Sequence, residues 1–285
     1  MTLTLRLGSV EDADECGRIL YEAFGSIDSQ HNFQRMFPSQ QVATTRVKQL
    51  LSDPRFYSVV GEVDEKIAGS NFLDERSVIA GLGPISVDPP LMNAAIGRQL
   101  MRATLDRGMK QRFVGIRLVQ TAWHYRSFSL YSKLGFDTRE TLSAITGKPI
   151  GVHLPGYEVR PASERDLPTC NRICQSVHGH DREGEVFDAI HQGTASVVER
   201  LGAVTGYATC IGWFGHAAAN TNDDLKALIG AAQVFLGPGF LVPSRNGELL
   251  RWCLSHGLRI FSQQTLMTIG LYNEPSGAYL PSIVY

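Results

Sequence analysis

The stretch Gly83-Pro84-Ile85-Ser86-Val87-Asp88-Pro89-Pro90-Leu91-Met92-Asn93-Ala94-Ala95-Ile96-Gly97-Arg98-Gln99-Leu100 decides the fold. Extended residues run into Asp88-Pro89, where a strand must stop because proline cannot donate to a ladder. A loop of small residues follows, and Leu100, Met101, Thr104 and Leu105 then recur at the spacing of one helix face. This pattern predicts a helix over Gly97–Arg107, with Gly108 just past its end as a C′ glycine. Free N–H groups at such a helix start, with the dipole behind them, form an anion site, provided the side chains stay small enough for close approach.

Outward from this unit the elements alternate. Leu3, Leu5 and Leu7 mark a strand that runs into Ser9-x-x-Asp12, a capping-box-like helix start. Cys16, Ile19, Leu20 and Ala23 give that helix one apolar face. Phe56–Val63 and Lys66–Leu73 read as strands joined by Asp64-Glu65, and Ser77–Asp88 contains a further strand. Arg112–Ala122 reads as an apolar strand, and Ser127–Lys133 as a short helix closed by Gly135. Mixed elements in this order describe an α/β (or α+β) sheet covered by helices.

Twenty-seven Lys and Arg against 28 Asp and Glu leave a formal charge of −1, too little field of either sign to favour nucleic acid or an anionic membrane. No apolar run reaches the roughly 20 residues that span a bilayer. The acidic, amphipathic start is not a signal peptide, so a cytoplasmic globular protein is expected. Cys16, Cys170, Cys174, Cys210 and Cys253 are odd in number and scattered, which reads as small apolar packers rather than a disulfide framework.

The chain repeats itself. Leu5-Arg6-x-x-Ser9-x-x-Asp12-x-x-x-Cys16 recurs 154 positions later as Val159-Arg160-x-x-Ser163-x-x-Asp166-x-x-x-Cys170. Leu82-Gly83-Pro84 with Pro89 matches Leu236-Gly237-Pro238 with Pro243 at the same offset. Two related domains are expected, 1–148 and 156–285, each a mixed, mostly antiparallel sheet flanked by helices.

Val87-Asp88-Pro89, the small-residue loop and Ile96-Gly97-Arg98-Gln99-Leu100-Met101 resemble motif A of the GNAT superfamily of N-acetyltransferases. Some 30 residues on, Leu130-Tyr131-Ser132-Lys133-Leu134-Gly135-Phe136 is similar to that superfamily's LYxKLGF signature. The resemblance covers residues 3–145 and extends more faintly over the second half, implying tandem GNAT-like domains. It implies direct transfer of an acetyl group from acetyl-CoA, as cosubstrate, to an amine, with no metal. The strand carrying Ile85, Ser86 and Val87 would bind the pantetheine arm through its main chain, and an N–H near Val87 would polarise the thioester carbonyl. Asn93, Ala94, Ala95, Ile96, Gly97 and Arg98 would cradle the pyrophosphate, and Tyr131 would protonate the departing thiolate. The loop departs from the family pattern at Met92, where a polar residue is usual, and at Ala95, where glycine is usual. Asp74, Glu75 and Asp88 are candidates for the base, and no motif separates them.

The second half has lost the loop: Pro243 is followed almost directly by a helix with Ser244 as its N-cap, and no tyrosine-bearing helix follows Arg259–Gly270. It reads as a degenerate domain without CoA. His178-Gly179-His180-Asp181 matches no zinc spacing and reads as a solvated loop; Gly206–His216 reads as a buried strand; Tyr279–Tyr285 reads as a docked tail whose carboxylate could approach a pocket. Two functions remain: an N-acetyltransferase acting on an amine, slightly favouring a small molecule, or a non-catalytic binding or regulatory protein that has lost turnover. The sequence leaves a homodimer open.

Overall fold

A computed structural model describes residues 2–33 and 35–284. The carboxylate expected on Tyr285 therefore lies outside the described residues. The chain divides into two compact units. One runs to Leu118 and takes in Arg126–Phe136; the other takes Val119–Tyr125 and Asp137–Ile283.

The first unit holds strands in the order β1 (Leu3–Leu7), β2 (Phe56–Val63), β3 (Lys66–Asp74), β4 (Ile79–Leu82) and the first half of β6 (Gly115–Thr121), with β5 (Ser86–Val87) attached to β3. Every pairing is antiparallel except β4 with β6. Helices cover both faces. On one, α1 (Ala13–Gln30) buries Cys16 and Leu20, and α2 (Gln40–Ser52) buries Ala43, Val47 and Leu50, against Val60 and Phe72. On the other, α3 (Ile96–Gln111) buries Ile96 and Leu100 against Val59, Val63 and Ala68. α4 (Tyr125–Lys133) follows β6 and ends at Gly135, whose φ of 95° is the left-handed value expected of a stop.

Three boundaries differ from the sequence reading. Gly108 lies inside α3 rather than beyond it: a Cβ there would sit 2.4 Å from Ile116 Cδ1, so the glycine serves close packing on β6. The helix stops instead at Arg112, left-handed at φ 60°, and β6 begins only at Gly115. The single strand expected in Ser77–Asp88 is two, β4 and β5, separated at Gly83–Ile85.

The second unit holds a five-stranded antiparallel sheet, β14 (Ala278–Leu280), β11 (Ala217–Ala219), β10 (Ala203–Ala208), β9 (Ser196–Arg200) and β8 (Tyr157–Pro161). It also holds an antiparallel ladder in which β7 (Asp137–Thr146) lies between β13 (Arg259–Gly270) and β12 (Phe240–Pro243). Its helices are α5 (Leu167–His178), α6 (Glu183–His191), α7 (Asn222–Ala231) and α8 (Gly247–Ser255). The repeat is visible in the geometry. Ser9 has φ −128°, ψ 166° and Ser163 φ −127°, ψ 167°, and each closes a capping box with the aspartate three positions on.

Four readings of this half are corrected. β10 ends at Ala208, and residues 209–216 form a turn closed by Thr209 N–H donating to the His216 carbonyl at 2.9 Å. Asn246, not Ser244, caps α8, accepting from the Leu249 N–H. His178 and His180 are buried rather than solvated. The shortening relative to the first half falls mainly in the helix, with 9 residues in α8 against 16 in α3. Tyr279 lies in β14, paired with Ala218 of β11, so the start of the expected tail is a strand of this unit's sheet.

Candidate functional site

The first unit opens at β5. β4 and β6 pair in parallel from Ile79 with Gly115 to Gly81 with Arg117, and beyond that β5 pairs with β3 alone. Gly69 makes this pairing close, since a Cβ there would lie 2.4 Å from the Ser86 carbonyl oxygen. The Asp88 N–H donates to the Ala68 carbonyl at 2.9 Å. Antiparallel pairs alternate in direction, so the Val87 N–H and C=O point away from β3. The side chains of Ile85 and Val87 pack with Ile96 and Leu100 on the α3 face. What these two residues offer a ligand is main chain.

The loop after Pro89 folds on itself before it reaches the open N–H groups of the α3 start. Met92 N–H bonds to the Pro89 carbonyl and Ala94 N–H to Leu91, both at 3.3 Å. Asn93 and Ala95 adopt φ of 85° and 60°. The first intrahelical bond of α3 runs from Gln99 N–H to the Ala95 carbonyl at 3.2 Å, so the N–H groups of Ile96, Gly97 and Arg98 belong to the open first turn. Asn93, Ala94, Ala95 and Arg98 are exposed, whereas the Ile96 side chain is buried. Gly97 touches both neighbours of the site: a Cβ there would be 3.6 Å from Val87 Cγ2 and 4.0 Å from Leu130 Cδ2 of α4.

Tyr131 follows Leu130 on α4 and is buried, 7 % exposed. Its ring meets Phe136 edge-on at 6.2 Å, and its hydroxyl hydrogen-bonds with Ser127 one turn earlier. Burial pushes its phenol up to about 12, so the phenol keeps its proton across the physiological range.

The three candidate bases separate. Asp74 is held by Arg76 through both oxygens, and Glu75 by Arg107 at 2.7 and 2.8 Å. Asp88 has only a 3.5 Å contact from Arg18 Nη2 on one oxygen, and its other oxygen, Oδ1, is buried with no hydrogen-bond partner among the described residues. Sequence reasoning missed Arg18 and its partners Glu15 and Glu22. Their i, i+3, i+7 spacing on the polar side of α1 was the available signal.

In the second unit a cavity of about 390 Å³ is lined by residues of three segments, among them Asn222, Arg245 and Tyr279. Arg245 is already committed to Glu140 at 2.7 Å and Glu274 at 3.0 Å, and both adjoining helix starts are capped by their own side chains. Among the described residues no group of three or more His, Cys, Asp or Glu could hold a metal ion, and no helix is long and apolar enough to cross a membrane.

Residues 18–136 match the family model described as the acetyltransferase (GNAT) family. No curated protein matches the chain. Among solved structures, a Pyrococcus horikoshii protein provisionally described as an acetyltransferase superposes with a TM-score of 0.76 at 14 % identity, over 97 % of this chain and 92 % of that one. A GCN5-related N-acetyltransferase from Sphaerobacter thermophilus gives 0.64 at 12 %, over 95 % and 96 %. A tandem GNAT protein from the clavulanic acid biosynthesis pathway gives 0.57 at 12 %, over 94 % and 98 %. At such identities the likeness is one of fold, and it extends over nearly the full length of each chain.

Proposed function

We infer that this chain, in which residues 18–136 are a GNAT-family acetyltransferase domain within a tandem GNAT fold, transfers the acetyl group of acetyl-CoA to an amine, and that the first half does the chemistry. The observation that carries this reading is the meeting of two sets of main-chain groups: Val87 turned away from β3, and the open first turn of α3 immediately beyond it. The β5 main chain would hold the pantetheine arm, and the Val87 N–H would polarise the thioester carbonyl as charge develops on its oxygen. Asn93–Gly97 would receive the pyrophosphate through N–H groups, with Arg98 as the nearest cation. Tyr131 would supply the proton that the leaving thiolate takes. The near-neutral charge of the chain favours a small amine over a highly charged protein acceptor.

Among the described residues the second half has neither the long loop nor a tyrosine-bearing helix after β13, so it would not bind CoA. The domain limits 1–148 and 156–285 follow the repeat and remain part of this proposal. Calorimetric titration of acetyl-CoA tests the reading. One site per chain supports it, two would return a working loop to the second half, and none would favour a regulatory protein that keeps only the fold.

A further inference from the structure

We propose that the α1-facing side of β5 is the receiving site for a positively charged amine, with Asp88 as its anchor and proton acceptor and Ser86 Oγ as a second acceptor. The proposal rests on the acetyl-transfer reading and names the substrate class and base for that same site.

Alternation along β5 places Ser86, and the contact with Arg18 places Asp88. Val87 packs on the α3 face, beside Gly97, so Ser86 projects to the α1 face, and Asp88, the residue just past β5, meets Arg18 on that same side. A further contact agrees with this: Ser70, which pairs with Ser86, hydrogen-bonds with Cys16 of α1. On that face two buried oxygens have no hydrogen-bond partner among the described residues: Ser86 Oγ, on a side chain 4 % exposed, and Asp88 Oδ1. Buried acceptors are rarely left unsatisfied, and two of them two residues apart on that side leave a place for a donor that the chain does not supply.

The charge of the surroundings selects the donor. Arg18 bonds Glu15 at 2.6 Å and Glu22 at 2.5 Å, and it reaches Asp88 only at 3.5 Å. One cation thus serves three carboxylates, and the cluster is net negative. An alkylammonium brings a positive charge and three N–H donors, enough for Asp88 Oδ1 and Ser86 Oγ together. A neutral alcohol brings one donor and no charge. The bound nitrogen would lie beside Val87, the residue whose main chain faces the proposed thioester.

The reaction balances with these groups. The ammonium gives one proton to Asp88, and the freed lone pair forms the C–N bond to the acetyl carbon as the C–S bond breaks. The thiolate takes the Tyr131 proton, Tyr131 recovers one from the nitrogen, and Asp88 releases its own to solvent. One proton leaves per amide formed. An amine with a pKa near 10.4 needs such a base at neutral pH.

The test compares n-butylammonium with n-butanol by calorimetry, with and without acetyl-CoA. Wild type should prefer butylammonium at least tenfold. Asp88→Asn should abolish the preference while acetyl-CoA affinity stays unchanged, and Ser86→Ala should reduce it severalfold. Glu22→Gln, half-buried on α1 and away from the strand, should lower it two- to threefold and covers the case in which a β5 variant fails to fold. Equal affinity for the two probes, binding of neither, or a preference that survives in Asp88→Asn would overturn the proposal. Absence of acetyl-CoA binding alone would sink acetyl transfer, and the titration of ligand-free protein would still judge this site.

Discussion

Arg160 reaches the two carboxylate oxygens of Asp166 with separate guanidinium nitrogens, each at 2.8 Å. Arg6 does the same to Asp12 at 2.7 Å and 2.7 Å. Each arginine also bonds a glutamate on the neighbouring strand, Glu199 or Glu62, and each aspartate accepts from the N–H of the serine three positions before it. The clamp therefore ties the first strand of each repeat to its partner strand and to the helix that follows. Its recurrence in side-chain detail explains why these letters, among so few, survive in both halves.

The clamp predicts an acid limb. The Arg160 hydrogen bond, foremost among several causes, holds the Asp166 carboxyl at about 2, below its ordinary value near 3.9. A lowered carboxylate contributes its stability above the unfolded-state value and loses it as pH falls through the folded one, so the window runs from about pH 4 down to about pH 2. Asp166→Asn should cost about 1–2 kcal/mol at pH 7, the partly exposed arginine limiting the value, and a small remnant of that near pH 2, vanishing below it. Urea midpoints measured across that range check it; a gap that stays constant with pH would contradict the assignment.

Ala95 carries a methyl in a left-handed conformation, φ 60° and ψ 10°, at the cap of α3. An L-residue there costs about 1–2 kcal/mol relative to a conformation free of the Cβ clash. Ala95→Gly should raise stability by about 0.5–1 kcal/mol, after allowance for the larger freedom of glycine in the unfolded chain, and Ala95→Val should lower it. Chemical denaturation of both variants decides the matter.

Much of this was legible in the residues. Leu3–Leu7, Phe56–Val63 and the capping boxes are local patterns, and they appear at the predicted positions. So are Cys16, Ile19, Leu20 and Ala23, all buried on α1. Gly108 was misread because glycine has two uses. Its contact with Ile116 is tertiary, and a pattern that ignores β6 sees only a helix stop. The break between β4 and β5 was hidden for the same reason, because where a strand changes partners depends on its neighbours rather than on its own residues. Tyr131 and the loop were marked by their motifs. Nothing in the sequence separated Asp74, Glu75 and Asp88, because what separates them is which arginine each one meets.

Tyr131 can be a proton donor, a core aromatic, or both. Tyr131→Phe keeps the ring against Phe136 and deletes only the hydroxyl and its bond with Ser127, so stability should fall by about 1 kcal/mol or less. Turnover should drop about 100-fold with acetyl-CoA affinity unchanged. Because burial raises the phenol to about 12, the wild-type rate should show no alkaline loss from this group below roughly pH 11. Unchanged turnover in the variant would leave the ring a purely structural role.

Arg98 stands in the first turn of α3, a turn that contains no acidic residue, where the helix dipole disfavours a cation by about 0.3–1 kcal/mol. Its side chain is exposed, so packing does not explain its place there. If it serves a phosphate, stability and affinity should respond to its removal with opposite signs. Arg98→Ala should leave the denaturation midpoint unchanged or slightly higher, while acetyl-CoA binding weakens about three- to tenfold at low salt, with a smaller loss as ionic strength rises. Titrations at two salt concentrations, alongside urea unfolding of the same samples, read both effects; equal affinity for the variant and wild type would remove Arg98 from the phosphate site.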